Sequence, residues 1–360
     1  MKMPILVTGG CGFVGRHVID YLTRNERSIW VVDDLSTGKH PDKWLPYVHR
    51  LSHGRGCVKY RLERGELNFI QTDIRLFLKC HLAGRQKNNF FGIGKFPHFG
   101  DVIHLASIVG GRALIDRDPI AVSADLAIDS DFFVWATRAK PKRILYTSSS
   151  AAYPTNLQSK KGAEKLKEGC IRFDGDLGQP DMTYGWSKLT GEYLARLAVK
   201  HYGLRIACVR PFSGYGEDQD LTYPVPAIAD RVARRQNPLV LWGSGKQGRD
   251  FVHIDDCVEA MFRALDVISD GSAVNIGSGV LTTFKQVALI LSKFANYKPN
   301  IKALTHMPTG VHSRYADTEH SRKVLGWQPT ISLEEGLGRV YRMSCERLCK
   351  VQKHTDKRRK

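Results

Sequence analysis

The chain lacks any apolar run of about eighteen residues, the length a membrane-spanning helix needs, so no membrane partner is expected. It also lacks paired cysteine spacings. Eight cysteines stand at 11, 57, 80, 170, 208, 257, 345 and 349. None makes a convincing zinc pair, so no metal centre is expected, and a chain of 360 residues needs no disulfide staples. A reducing cytoplasm fits that usage. The first apolar strand begins almost at Met1, so no secretory leader is expected. Internal repeats, low-complexity tracts, zinc fingers and helix-turn-helix or RNA-binding signatures are all missing.

Acidic residues are scarce as well: 36 Asp and Glu face 54 Lys and Arg, a net charge of +18. Such an excess suits nucleic acid, an acidic surface or a phosphorylated small molecule. Part of the charge is local. Residues 341–360 hold eight Lys/Arg and two Asp/Glu, and a frayed basic tail is expected there. Val48 to Leu67 holds five Lys/Arg against two Glu and reads as an irregular basic loop. Hydrophobic residues make up 42% and charged residues 25%, a balance that predicts a globular fold.

What is present is organised around Pro4 to Gly15, PILVTGGCGFVG. Ile5, Leu6 and Val7 suit a strand buried on both faces. Gly9, Gly12 and Gly15 follow at a spacing of three, and Val14, Val18, Ile19 and Leu22 make a helical stripe. Strand, glycine turn and helix form a diphosphate cradle, because the backbone can approach the anion and the helix N-terminus is positive. A second strand, Ser28 to Val32, ends at Asp33 and Asp34. A carboxylate there accepts both ribose hydroxyls and repels a 2′-phosphate, which favours NAD over NADP. Asp33 is the better candidate.

Leu35 to Lys39 then lines the adenosine side, and a short helix is predicted near Trp44 to Val48. Further strands are predicted at Asn68–Gln71, Asp101–Ala106, Lys142–Tyr146 and Leu204–Val209. Asp73 sits where an adenine contact could form, and the small residues after the fourth strand suit a pyrophosphate. Helices are predicted from Asp118 to about Thr137 and from Met182 to Tyr202. Residues 154–182 read as a lid or surface loop. Alternating strands and helices predict an α/β, Rossmann-type, doubly wound parallel sheet over residues 1–210. Residues 211–340 read mainly as a smaller mixed lobe, with some crossing between lobes. Its strands are predicted at Leu239–Trp242 and Ala273–Ile276. Its helices are predicted at Val225–Arg235, Asp255–Leu265, Thr283–Phe294 and Ser332–Leu348.

The sharpest chemical pattern is Tyr184 with Lys188, YGWSK. Positions i and i+4 share a helix face, so the ammonium can favour the phenolate. A tyrosine whose pKa is lowered that way can take a proton from a sugar hydroxyl. Ser149, at the end of the fifth strand, could donate to the reacting oxygen, with Ser148 and Ser150 as rivals.

TGGCGFVG, DDLSTG, TDIR, HLAS, SSSAAYP, YGWSK, RPFSGYG, RDFVHIDD and RYADTEHSRKVLGWQP together resemble the extended short-chain dehydrogenases/reductases. The resemblance is to their NAD-dependent nucleotide-sugar epimerase/dehydratase group, from residue 4 to about 330. It implies bound NAD, a nucleoside-diphosphate sugar in the smaller lobe, and a homodimer. It assigns the catalytic set to Ser149, Tyr184 and Lys188. On the cofactor side it adds Phe13, Val14, Asp34, Ser36, Ile74, Leu105, Ala106 and Pro211 to the glycines, Asp33 and Asp73. On the substrate side it implies Arg249 against the diphosphate and Arg314 on the nucleotide side, with Gly111, Arg112 and Ser150 near the sugar. Arg112 could contact the sugar or a carboxylate on it, and a structural salt bridge is equally open.

The departures narrow the reaction. Ser150 and Ala151 stand where sugar dehydratases of the group carry an Asp-Glu pair. Ala151 also lacks the glutamate of the decarboxylases and the cysteine of GDP-mannose 3,5-epimerases and GDP-fucose synthases. Yet IVGGR at 108–112 and PTGVHSR at 308–314 are similar to those GDP-sugar enzymes. C4 epimerisation of a UDP- or GDP-linked sugar needs only the Ser-Tyr-Lys set and NAD. The alternatives are 3,5-epimerisation with another acid/base, such as His312 or Lys246, a displaced-acid dehydratase or reductase, and a non-catalytic NAD- or RNA-binding protein.

Overall fold

The strand β1 (Ile5–Thr8) is buried along its whole length, as the centre of a parallel sheet requires. The computed structural model describes residues 3–24, 28–52, 56–83, 91, 96–108, 112–160 and 163–359. After β1 come α1 (Phe13–Thr23), β2 (Ser28–Asp33), β3 (His49–Ser52), β4 (Cys57–Arg61), β5 (Glu66–Gln71) and α2 (Ile74–Ala83). Next are β6 (Asp101–His104), α3 (Arg112–Arg117), α4 (Pro119–Val122), α5 (Ala124–Ala139), β7 (Arg143–Thr147) and α6 (Met182–Tyr202). Then follow β8 (Ile206–Pro211), β9 (Ser213–Tyr215), α7 (Pro224–Ala233), β10 (Leu239–Trp242), β11 (Gly248–Arg249), β12 (Phe251–His253) and α8 (Ile254–Val267). The last are β13 (Asp270–Ile276), β14 (Thr282–Thr283), α9 (Phe284–Phe294), β15 (Ile301–Leu304), β16 (Ser313–Arg314), α10 (Glu319–Leu325) and α11 (Leu333–Arg359).

Among the described residues the main sheet has nine strands in the order β13-β8-β7-β6-β1-β2-β5-β4-β3. All neighbours are parallel except β5–β4 and β4–β3. The alternation of β1 shows why helices cover both faces. Ile5 and Val7 join one core with Val18 and Ile19 of α1 and Met261 of α8. Leu6 joins the other with Phe77 of α2, Phe132 of α5 and Ala195 of α6. A third core, from α7, β10, α9 and α11, holds Val225, Ile228, Leu241, Val287 and Leu337.

Several expectations are corrected. The stretch read as an irregular basic loop contains the hairpin β3–β4, which extends the sheet edge. Its basic residues hid the pattern: Cys57, Val58 and Tyr60 are buried while Arg61 faces out. No helix covers Trp44 to Val48, and a single turn at Pro41–Lys43 precedes them. The supposed lid is packed down: Tyr153, Leu166 and Ile171 are buried with Leu189, Phe212 and Ala316. Residues 273–276 belong to β13 in the main sheet rather than to the smaller lobe. The basic C-terminus does not fray at 341, because α11 continues to Arg359.

Two features place the site. Gly191 lets α6 lie against β7, since a Cβ there would fall inside the Tyr146 hydroxyl. An ionic latch joins α1 to the loop after β9. Arg16 meets Asp218 at 2.6 Å, and His17 lies 2.9 Å from Asp218 and 3.6 Å from Asp255 of α8. Burial alone would lower the His17 pKa, but the Asp218 and Asp255 carboxylates raise it to about 9. A raised folded-state pKa stabilises fully below the unfolded value of about 6.5, and that stability is lost as pH climbs through the folded value. The melting temperature should therefore fall between pH 6.5 and 9 by an increment that His17→Gln abolishes. An unchanged pH dependence in the variant would show that the latch contributes nothing.

Candidate active site

The turn between β1 and α1 is built for a close approach. Gly9 has φ 68°, and a Cβ on it would come within 2.7 Å of the Ala106 backbone nitrogen. Asp33, at the end of β2, accepts from the Cys11 and Leu35 N–H groups, both at 2.8 Å. Burial raises its pKa more than those two bonds lower it. Asp34 accepts from the Ser36 N–H, and Asp73 is held by Arg75 through its N–H at 2.7 Å and its guanidinium at 2.6 Å. The cofactor-side residues named from the sequence all line one cavity of about 1260 Å³. That cavity exceeds the ~300–1,000 Å³ of a single small-molecule site. It runs on past Ser149, Tyr184 and Lys188 to Arg249 and Arg314. The dinucleotide fits this half: the glycine turn leaves the room a Cβ would fill, and Thr147 Oγ1 is buried in the wall without a hydrogen-bond partner among the described residues.

At the centre, α6 carries both Tyr184 and Lys188. The Lys188 ammonium lies 5.8 Å from the Tyr184 ring centroid and 5.6 Å from that of Tyr146. Ser149 Oγ accepts from the Ala151 N–H at 3.1 Å, and its hydroxyl favours the ionised form of Tyr184. Ser148 is committed elsewhere, since its hydroxyl donates to the buried Glu192, which pairs with Arg210. Ser150 lines the cavity. Lys188 is buried, which would depress its pKa, yet Asp129, Tyr184 and Asp125 raise it overall. Asp129 accepts from the Tyr146 hydroxyl at 2.5 Å and lies 3.2 Å from His104, whose other ring nitrogen meets Thr8 Oγ1 at 2.8 Å. The lowered phenol pKa expected at Tyr184 is corrected. Burial raises it, Lys188 and Ser149 lower it, and the net direction is upward.

The substrate end is crowded with guanidinium. Among the described residues Arg249 on β11 has no carboxylate partner: it donates to the carbonyls of Gly248 at 2.7 Å and Thr309 at 3.0 Å and lies over the Phe284 ring. Burial, with Arg314 and Arg112 nearby, depresses its pKa to about 9. Arg112 and Arg314 are not free in this way. Both pair with Asp181 at 2.8 Å, Arg112 also pairs with Asp116, and Arg314 donates to Gln158. The sequence reading missed Asp181 and also Arg231 of α7, which lines the cavity and donates to the Val240 carbonyl. A spacing from known motifs pointed to neither. Gly111 lies outside the described residues, and His312 and Lys246 do not line the cavity.

A dinucleotide cradle feeding a Ser–Tyr–Lys centre defines a short-chain dehydrogenase/reductase of the extended kind. The family model described as NAD dependent epimerase/dehydratase family matches residues 5–277, and the chain belongs to that family. It is similar to the putative UDP-glucose 4-epimerase of Methanocaldococcus jannaschii, 26% identical over 342 residues that cover 93% of this chain and 96% of the relative. It is equally similar to GDP-mannose 3,5-epimerase 1 of Oryza sativa subsp. indica, 26% identical over 94% of this chain and 81% of the relative. The crystal structure of the UDP-glucose 4-epimerase of Thermotoga maritima with UDP-glucose superposes with a TM-score of 0.76, at 26% identity, covering 96% of this chain and all of that one.

If Arg249 is the diphosphate anchor, Arg249→Gln should weaken UDP or GDP binding roughly 10- to 100-fold, the worth of one charged hydrogen bond. NAD binding should be unchanged. Calorimetric titration with both ligands checks this, and equal losses for the two would point to misfolding.

Proposed function

We propose that this protein catalyses NAD-dependent epimerisation of a nucleoside-diphosphate sugar at C4, through a transient 4-keto sugar. One observation carries the reading: Tyr184, Lys188 and Ser149 are assembled in the cavity, while Ala151 supplies no acid for dehydration or decarboxylation. NAD, when bound, supplies a hydride acceptor and donor whose nicotinamide ring is cationic when oxidised. Tyr184 takes the C4 hydroxyl proton as that carbon is oxidised and returns it when the carbon is reduced from the other face. Lys188 stabilises the phenolate, and Ser149 steadies the reacting oxygen. Arg249 holds the diphosphate while the sugar turns in the remaining volume.

The similarity to a GDP-mannose 3,5-epimerase supports a second reading, enolisation at C3 or C5. Incubation of the NAD-loaded protein with UDP- and GDP-sugars in deuterated water, followed by NMR, separates the two. A C4 epimer free of deuterium is expected. Deuterium at C3 or C5 would replace the first reading by the second. Tyr184→Phe should lower kcat roughly 100- to 10,000-fold.

The homodimer and the cytoplasm belong to the same proposal. The packed pair α5 and α6 leaves Leu126, Val134, Trp186 and Tyr193 exposed, a face that a second copy would cover. Light scattering should give twice the chain mass, and Val134→Glu should halve it. A monomeric wild type would refute the dimer. All eight cysteines are unpaired, which suits a reducing compartment. No helix among the described residues is long and apolar enough to cross a membrane.

A further inference from the structure

Asp181 occupies the N-cap of α6, three residues before Tyr184. An aspartate there ordinarily accepts from the helix's own N–H groups. This one makes no such bond. The next residue, Met182, sits at φ 57°, a left-handed conformation that a Cβ penalises. The backbone is thus held in an unfavourable form while the carboxylate turns away from the helix. The Asp181 N–H donates to the Ala151 carbonyl at 3.0 Å, which fixes the residue against the catalytic segment. One carboxylate oxygen then meets Arg112 and the other Arg314, each at 2.8 Å. Arg112 opens α3 and Arg314 lies on β16, so Asp181 joins cations from segments far apart in the chain.

The charges around the sugar therefore balance differently from the arginine count. Arg112 is offset by Asp116 and Asp181, and Arg314 by Asp181. Among the described residues Arg249 and Arg231 hydrogen-bond only to carbonyls, and two such cations suit the two charges of a diphosphate. A sugar carboxylate placed beside Arg112 and Arg314 would find both guanidiniums already paired, and would face Asp181. We infer that Asp181 is a specificity-determining residue that acts through Arg112 and Arg314, setting the site for a sugar without a carboxylate. This rests on the reading of the site as a nucleotide-sugar epimerase. Removing the Asp181 charge would free the Arg314 guanidinium for a planar carboxylate and leave Arg112 with Asp116 alone.

The test uses the NAD-loaded protein and two probe pairs, UDP-glucose with UDP-glucuronate and GDP-mannose with GDP-mannuronate. Affinities are measured by calorimetry for the wild type, Asp181→Asn and Asp181→Glu. The wild type should bind the neutral member of the recognised pair at least ten times more tightly. Asp181→Asn should shrink that ratio at least ten-fold, and Asp181→Glu should keep it. A merely structural role would weaken both members alike and leave the ratio where it was, which overturns the inference. A wild type that prefers the uronate also overturns it, and does so even if no variant folds. Failure to bind any of the four sugars would instead refute the nucleotide-sugar reading on which it rests.

Discussion

A buried ammonium is costly unless opposite charge is close, and the centre of this protein is arranged around one. Lys188 is almost wholly enclosed. Desolvating a lone ion costs several kcal/mol even after relaxation. Asp129 and Asp125 of α5 offset that cost from behind. Asp129 is itself held by Tyr146 of β7 and by His104 of β6, and His104 reaches Thr8 of β1. Three strand ends and two helices thus meet in one network beneath Lys188 and Tyr184. Its charge balance keeps Lys188 protonated against the pull of burial, and only a protonated Lys188 can favour the Tyr184 phenolate. The upward net direction for Tyr184 follows from the same enclosure.

Charge also divides the cavity. The dinucleotide half is lined by backbone turns and carboxylates, with Asp33 organising the glycine loop. The substrate half is lined by guanidinium, sorted by Asp181 into paired and unpaired groups. The latch of Arg16, His17 and Asp218 closes the loop after β9 onto the first turns of α1, so the two halves share a wall. The family's chemistry needs both ligands held together, and the fold meets that need with ion pairs between segments far apart in sequence.

What the sequence revealed and what it hid follow from distance along the chain. The glycine turn and the Tyr184–Lys188 pair were legible because each is a local pattern whose geometry the backbone sets. The parallel sheet was legible for the same reason, one strand and helix after another. The partners of Asp181 lie 69 and 133 residues away, so nothing beside it announced its role. For Arg314 the motif gave the residue but not the carboxylate that occupies it. The β3–β4 hairpin was hidden because exposed arginines and lysines interrupted its apolar side. β13 was misplaced because a strand's sheet is decided by its partner, β8, more than fifty residues earlier. The phenol pKa was misjudged because spacing shows a neighbouring charge but not the depth of burial.

The central claim is that the buried Lys188 charge is what tunes Tyr184. NMR titration of ring-labelled tyrosine, comparing wild type with Lys188→Met in the NAD-loaded protein, tests it most directly. The Tyr184 phenol should titrate at distinctly higher pH once the ammonium is gone, with the other tyrosines unmoved. A Tyr184 titration that is the same in both proteins would contradict the account.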